Sequence, residues 1–187
     1  CDKILQNYPD KSLISLTSGT EINPYDLINY NIKPSFYNSN FGFECVSVEE
    51  IKYIRKHFED CSIIFTPNYC NVLEYKLAFD YDCVVIVDNV EVIENNIEIF
   101  KDREIGIRLD LDLGEGHDSK VVTEGSNSKF GMPLNEISNL LNICQKMNLK
   151  VVGLHSHRGS DINNVNSWIQ TINLMDKLVN EDFDDIK

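Results

Sequence analysis

The sequence predicts an α/β protein built on a parallel sheet, and three observations carry that prediction. Short β-branched or aromatic runs recur from about residue 42 onward. Each run is nearly continuously apolar, the pattern of strands covered on both faces. Longer stretches of helical periodicity separate them, so a βα unit repeats along the chain. Repeated βα units are compatible with a doubly wound open sheet or with a β/α barrel, and periodicity leaves both open.

Before the first unit lies a segment rich in Asn, Ser, Tyr and Pro, in which only Ile28–Lys33, "INYNIK", has strand character. The strands expected next are Gly42–Val46, Ser62–Thr66, Cys83–Val87, Ile105–Leu109 and Val151–His155. Ser47-Val48-Glu49-Glu50 has the form of a capping box, after which Ile51, Ile54 and Phe58 share one helical face. Helices follow at about 70–80 and about 90–100. A fourth starts near Pro133, with Leu134, Ile137, Leu140, Leu141 and Cys144 on one side. A fifth carries Val165, Trp168, Ile172, Met175 and Val179 as its apolar stripe. Asp112–Gly131 has four glycines and no period; a loop this long is usually functional or disordered.

Composition bounds the function classes. A chain of 187 residues suits one domain with a real core, and its apolar fraction of 42% is that of a globular protein. The formal charge of −13, with lysines scattered among acids, excludes nucleic acid as the expected partner. No apolar run reaches the roughly 20 residues that cross a bilayer, and "CDKILQNYPDKS" lacks the order of a signal peptide, so the expectation is cytoplasmic with no membrane partner. Cysteines 1, 45, 61, 70, 83 and 144 form no C-x-x-C pair, and several sit in apolar runs, which predicts buried reduced thiols. A start at Cys1 rather than methionine points to a fragment or a processed product.

In parallel α/β folds ligands meet the carboxyl ends of the strands. Those ends here offer Lys33, Glu44, Thr66-Pro67-Asn68, Asp88-Asn89, Arg108, Asp110, His155, His157 and Ser160, close to one set per βα unit. A metal site would draw on His155, His157, His117 and Asp110 or Asp112. The simpler reading of His155 is a core histidine hydrogen-bonded to its surroundings, so no metal is expected. No serine occupies a G-x-S-x-G elbow. Gly159-Ser160 after a strand frees backbone N–H groups and adds a hydroxyl, as an anion cradle requires, although most such pairs are plain turns.

Five ordered motifs resemble the pyridoxal-phosphate decarboxylases with an alanine-racemase-like barrel, and within them the diaminopimelate decarboxylases. These are "GFECVSVEEI", "IIFTPN", "VVIVDNVEVI", "GIRLDLDLGEGHDSKVVTEGSNSKFGMPL" and "VVGLHSHRGSDI". The wording "FTPN" and "LGEGHDSKV" is most similar to the form fused to aspartate kinase. The resemblance implies a partial (β/α)8 barrel of TIM type, about six of eight strands present, over residues 29–187, with residues 1–28 unassigned and a carboxyl-terminal β domain absent.

It also implies roles. Lys33 matches the lysine that holds pyridoxal 5′-phosphate as a Schiff base, with Pro34-Ser35 in place of Ala-Asn and a shortened interval to Glu44. His157 matches the imidazole stacked on the pyridine ring, Gly159 gives close approach, and Ser160 contacts the phosphate. Glu44 and Arg108 match pocket residues near the cofactor. Glu50 and Lys129 match residues of the substrate side, though a capping box and a loop-to-helix entry would use them as well. The implied reaction removes a carboxylate from an amino acid, converting meso-2,6-diaminopimelate to L-lysine and carbon dioxide, in a homodimeric parent. The chain alone is expected to turn over little. A non-catalytic cofactor-binding relative is the second expectation, and a metal-dependent barrel hydrolase the third.

Overall fold

The computed structural model describes residues 42–58, 60–113, 129–159, 162 and 164–183. Lys33, Ser160, His117, the strand expected at Ile28–Lys33 and the middle of the long loop lie outside the described residues.

The described chain runs β1 (Gly42–Cys45), α1 (Val48–His57), β2 (Ser62–Phe65), α2 (Val72–Asp80), β3 (Val84–Val87), α3 (Val90–Glu94), α4 (Ile97–Phe100), β4 (Glu104–Asp110), β5 (Met132–Pro133), α5 (Ile137–Met147), β6 (Lys150–His155) and α6 (Val165–Asp182). The main strands pair in parallel in sequence order, β1 with β2, β2 with β3, β3 with β4 and β4 with β6. A doubly wound sheet reverses its strand order; this one does not. Each right-handed crossover therefore returns its helix to the same face, which is the construction of a barrel wall. β5, absent from the expectation, pairs its two residues with Leu109 and Asp110.

Parallel partners in register point to the same side, so the two faces can be sorted from the pairings. One face carries Cys45, Ile63, Phe65, Val85, Val87, Ile105, Ile107 and Leu109, all buried, in one cluster with Ile51, Ile54, Tyr75, Ile93, Phe100 and Leu140 of the helices. The other face carries Glu44, Ile64, Ile86, Gly106, Arg108, Gly153 and His155, and is more polar. Gly106 leaves room there for Ile86, whose Cδ1 lies 2.3 Å from where a Cβ would stand, so a side chain at 106 would make Ile86 turn aside.

Local signals mostly act as expected. Ser47 Oγ accepts from Glu50 N, capping α1, while the Glu50 carboxylate accepts from Val46 N at 2.8 Å, one residue earlier than in a standard box. Asn71 and Glu74 form a full capping box on α2. Asn148, with φ +51°, ends α5 in the left-handed conformation that asparagine tolerates. At the amino ends of the strands Arg55 of α1 donates to Cys61 O, Tyr81 O and Asp82 O, tying α1 to the starts of β2 and β3.

Three expectations need correction. The helix expected at about 90–100 is two, because Asn95-Asn96 interrupts it and Asn96 Nδ2 donates to Val92 O at 2.8 Å. Leu134 stands in a 3-10 turn, Leu134–Glu136, before α5 and is only half-buried. On α6 the buried residues are Ser167, Thr171 and Leu178, whereas Val165, expected on the apolar stripe, is 69% exposed. A buried arginine, described below, draws the polar Ser167–Thr171 edge inward.

Cys45, Cys61, Cys83 and Cys144 are buried and reduced, and Cys70 is half-buried. Burial pushes the Cys45 thiol up to about 12 and those of Cys83 and Cys144 to about 11, so these groups are core hydrophobes rather than nucleophiles.

Candidate functional site

The candidate site lies on the polar face of the sheet toward its carboxyl rim. In the parallel register Arg108 of β4 is the partner of His155 of β6, and the two side chains share that face with Glu44 of β1. His155 Nε2 stands 3.6 Å from Glu44 Oε1, an ion-pair distance longer than a good hydrogen bond. Thr66, one residue past β2, donates its hydroxyl to Glu44 Oε1 at 2.8 Å. His155 Nδ1 is buried with no hydrogen-bond partner among the described residues, a position that suits an acceptor or donor supplied by a bound molecule.

The charge balance follows from these neighbours. The His155 imidazole, then the Thr66 hydroxyl and the positive field of His155 and His157, hold the Glu44 carboxyl below its ordinary value of 4.5, against burial, which acts the other way. A depressed carboxyl contributes stability that is complete above the ordinary value and lost as pH falls through the lowered one. We expect Glu44→Gln to remove this contribution: urea midpoints of the variant and wild type should differ at pH 6 and converge in acid. Midpoints separated by the same interval at every pH would refute it.

A second cluster covers the rim. Arg108 is 8% exposed, donates Nη1 to Asn68 Oδ1 at 3.3 Å and sets its guanidinium 5.0 Å from the Phe130 ring centroid. Tyr69, in the left-handed region at φ +55°, meets the Phe130 ring at a tilt of 44° with centroids 5.8 Å apart and donates its hydroxyl to Lys129 O at 3.3 Å. Lys129 Nζ lies over both rings, at 5.6 and 5.3 Å. Gly131, at φ +84°, allows this return: a Cβ would sit 2.7 Å from Asp110 N. The segment before β5 is thereby clasped over the end of β2.

His157 lies exposed beyond the end of β6, and Gly159 follows at φ +146°, a conformation that favours glycine. Of the site residues expected from sequence, Glu44, Arg108 and the His155–Gly159 exit are brought onto one face and rim, with Lys129 over the clasp. Glu50 instead spends its carboxylate on the entry to α1. His155, expected only as a structural neighbour, is a member of the polar cluster, as is Thr66; their signal was position at a strand end on the Glu44 side.

These residues fit a phosphorylated aromatic cofactor: an exposed imidazole, a glycine turn without a side chain, a buried guanidinium, an imidazole nitrogen with no partner among the described residues, and one carboxylate on the same face of the sheet. They do not gather as metal ligands; among the described residues no group of three or more His, Cys, Asp or Glu is placed to hold an ion. A cavity of about 610 Å³, lined by Arg55, Ser62, Val84, Arg103, Glu104 and Val152, lies at the amino ends of the strands. It is remote from this chemistry, and in such folds the amino end serves stability.

Comparison with known proteins places the chain. The family model described as "Pyridoxal-dependent decarboxylase, pyridoxal binding domain" matches residues 35–183, most of the chain. The diaminopimelate decarboxylase of Buchnera aphidicola subsp. Baizongia pistaciae is 27% identical over 154 residues, 76% of this chain and 36% of that protein. A probable ornithine decarboxylase of Dictyostelium discoideum is 29% identical over 134 residues, 70% of this chain and 28% of that protein. The chain thus spans about a third of the length of the curated relatives it matches. A crystal structure of diaminopimelate decarboxylase superimposes with a TM-score of 0.64 at 24% identity, over 78% of this chain and 36% of that one, which shows the shared fold. With sheet order, helix face and family match in agreement, the chain belongs to the pyridoxal-dependent decarboxylases, as part of their pyridoxal-binding β/α barrel.

Proposed function

We propose that the chain forms part of the cofactor barrel of a diaminopimelate decarboxylase, which releases the α-carboxylate of meso-2,6-diaminopimelate as carbon dioxide and leaves L-lysine. The observation that carries this is the convergence of Glu44, Arg108 and His155 on the sheet's polar face, with His157 and Gly159 at its rim. The diaminopimelate decarboxylase of Buchnera supports the substrate.

When bound, pyridoxal phosphate supplies the electron sink for the departing carboxylate's bond pair. Lys33 would hold the cofactor covalently, His157 would pack against its ring, and Gly159 and Ser160 would offer backbone N–H groups and a hydroxyl to its phosphate. Arg108 and the Glu44–His155 pair would set the charge around the cofactor and Lys129 would belong to the substrate side, whereas the Glu50 carboxylate is taken up by the entry to α1. The proposal extends to a cytoplasmic homodimeric parent, of the form fused to aspartate kinase on the wording of "FTPN" and "LGEGHDSKV".

A second reading, a non-catalytic cofactor-binding relative, is favoured by one specific feature. The family match begins at residue 35, just past Lys33, and Pro34-Ser35 follows that lysine at a short interval from Glu44. Carbon dioxide release by the product of the complete reading frame, offered diaminopimelate, ornithine and arginine, separates these readings. Release from diaminopimelate alone is expected. Release from ornithine or arginine instead would refute the substrate, and cofactor uptake without any release would select the non-catalytic reading.

A further inference from the structure

Arg158 stands between His157 and Gly159, in an exit turn where a cation is ordinarily solvated. Its side chain is instead 5% exposed. Nε donates to Leu113 O at 2.7 Å and Nη2 to the same carbonyl, while Nη1 donates to Ser167 O at 2.5 Å and to Thr171 Oγ1 at 3.2 Å. These acceptors belong to two other parts of the fold, the exit of β4 and the first turns of α6. Thr171 Oγ1 in turn donates to Ser167 O at 3.2 Å, so the acceptor edge of α6 is itself ordered.

A buried guanidinium is tolerated where its donors are met, and its planar fork serves several acceptors in fixed directions, as a lysine ammonium does not. One peptide bond joins this anchored residue to His157 and another joins it to Gly159. Fixing Arg158 therefore fixes the depth and azimuth at which the imidazole leaves β6. We propose that Arg158 is a positioning residue, which ties the His157–Gly159 turn to Leu113 and α6 and so sets the stacking imidazole. The role assigned to His157 rests on the pyridoxal-phosphate reading above.

The test titrates pyridoxal phosphate into the full 187-residue chain and into R158M, R158K, H157A and the H157A/R158M double variant. R158M and R158K should each weaken binding about tenfold, the scale of one charged hydrogen bond. In the H157A background R158M should cost nothing further, because the two residues act through one contact. Equal weakening in both backgrounds, or none in either, would overturn the proposal, and R158K carries the same cycle if R158M does not fold. Should the wild-type chain take up no cofactor, the functional reading fails separately, and the ring resonances of His157 decide for Arg158. A displaced His157 signal in R158M upholds the anchoring and an unchanged one overturns it. The emission of Trp168, the chain's single tryptophan, reports on the same junction through its Nε1 bond to Ile162 O at 3.3 Å.

Discussion

Phe65→Ala should destabilise the chain by about 3–5 kcal/mol, the cost of truncating a fully buried phenylalanine. Phe65 is 0% exposed at the carboxyl end of β2, on the face packed against the helices. Its ring meets Tyr75 of α2 edge-on at 6.3 Å, and Tyr75 in turn lies 5.6 Å from Phe100 of α4, so the side chain starts an aromatic chain running under two crossovers. Removing it leaves a cavity that neighbours on a regular wall can fill only by shifting whole strands. Domains of this size are stable by only about 5–15 kcal/mol, so the loss is a large share of the total. Urea unfolding followed by far-ultraviolet circular dichroism measures it. A change below about 1 kcal/mol would mean that β2 does not face the helices in the way its register requires.

The strands were legible because each is a short apolar run closed by a polar or helix-capping residue, and the observed bounds differ from the expected ones by a residue or so. Strand order was not legible from periodicity, since burial on two faces is common to open sheets and barrels; the family motifs decided it, and the parallel order β1-β2-β3-β4 with β6 beside β4 agrees. The α6 stripe was misread for a physical reason. Ser167 and Thr171 are buried because a guanidinium needs their oxygens, and a hydrophobic period carries no trace of that demand. β5 is two residues long and made by a glycine return, below what any period can signal.

The candidate site was legible as positions and not as contacts. Glu44 and Arg108 stood out as charges in or at the ends of apolar runs. His155 was set aside as a core histidine. Its place on the Glu44 face is revealed only by register across three other strands. The clasp of Tyr69, Lys129 and Phe130 joins residues 60 positions apart and could not be read locally.

The second large effect concerns Lys33. Loss of its amine in Lys33→Ala should abolish covalent attachment of pyridoxal phosphate outright, since the linkage has no other expected donor. Lys129 is the competing amine that the described residues place at the rim, but its ammonium is held over Tyr69 and Phe130. The most direct measurement is borohydride reduction of the chain after incubation with pyridoxal phosphate, followed by peptide mass mapping. Label on Lys33, lost in Lys33→Ala and retained in Lys129→Ala, is the expected result. Label on Lys129, label scattered over exposed helix lysines, or none at all would contradict a pyridoxal-binding site built on Lys33 and His157.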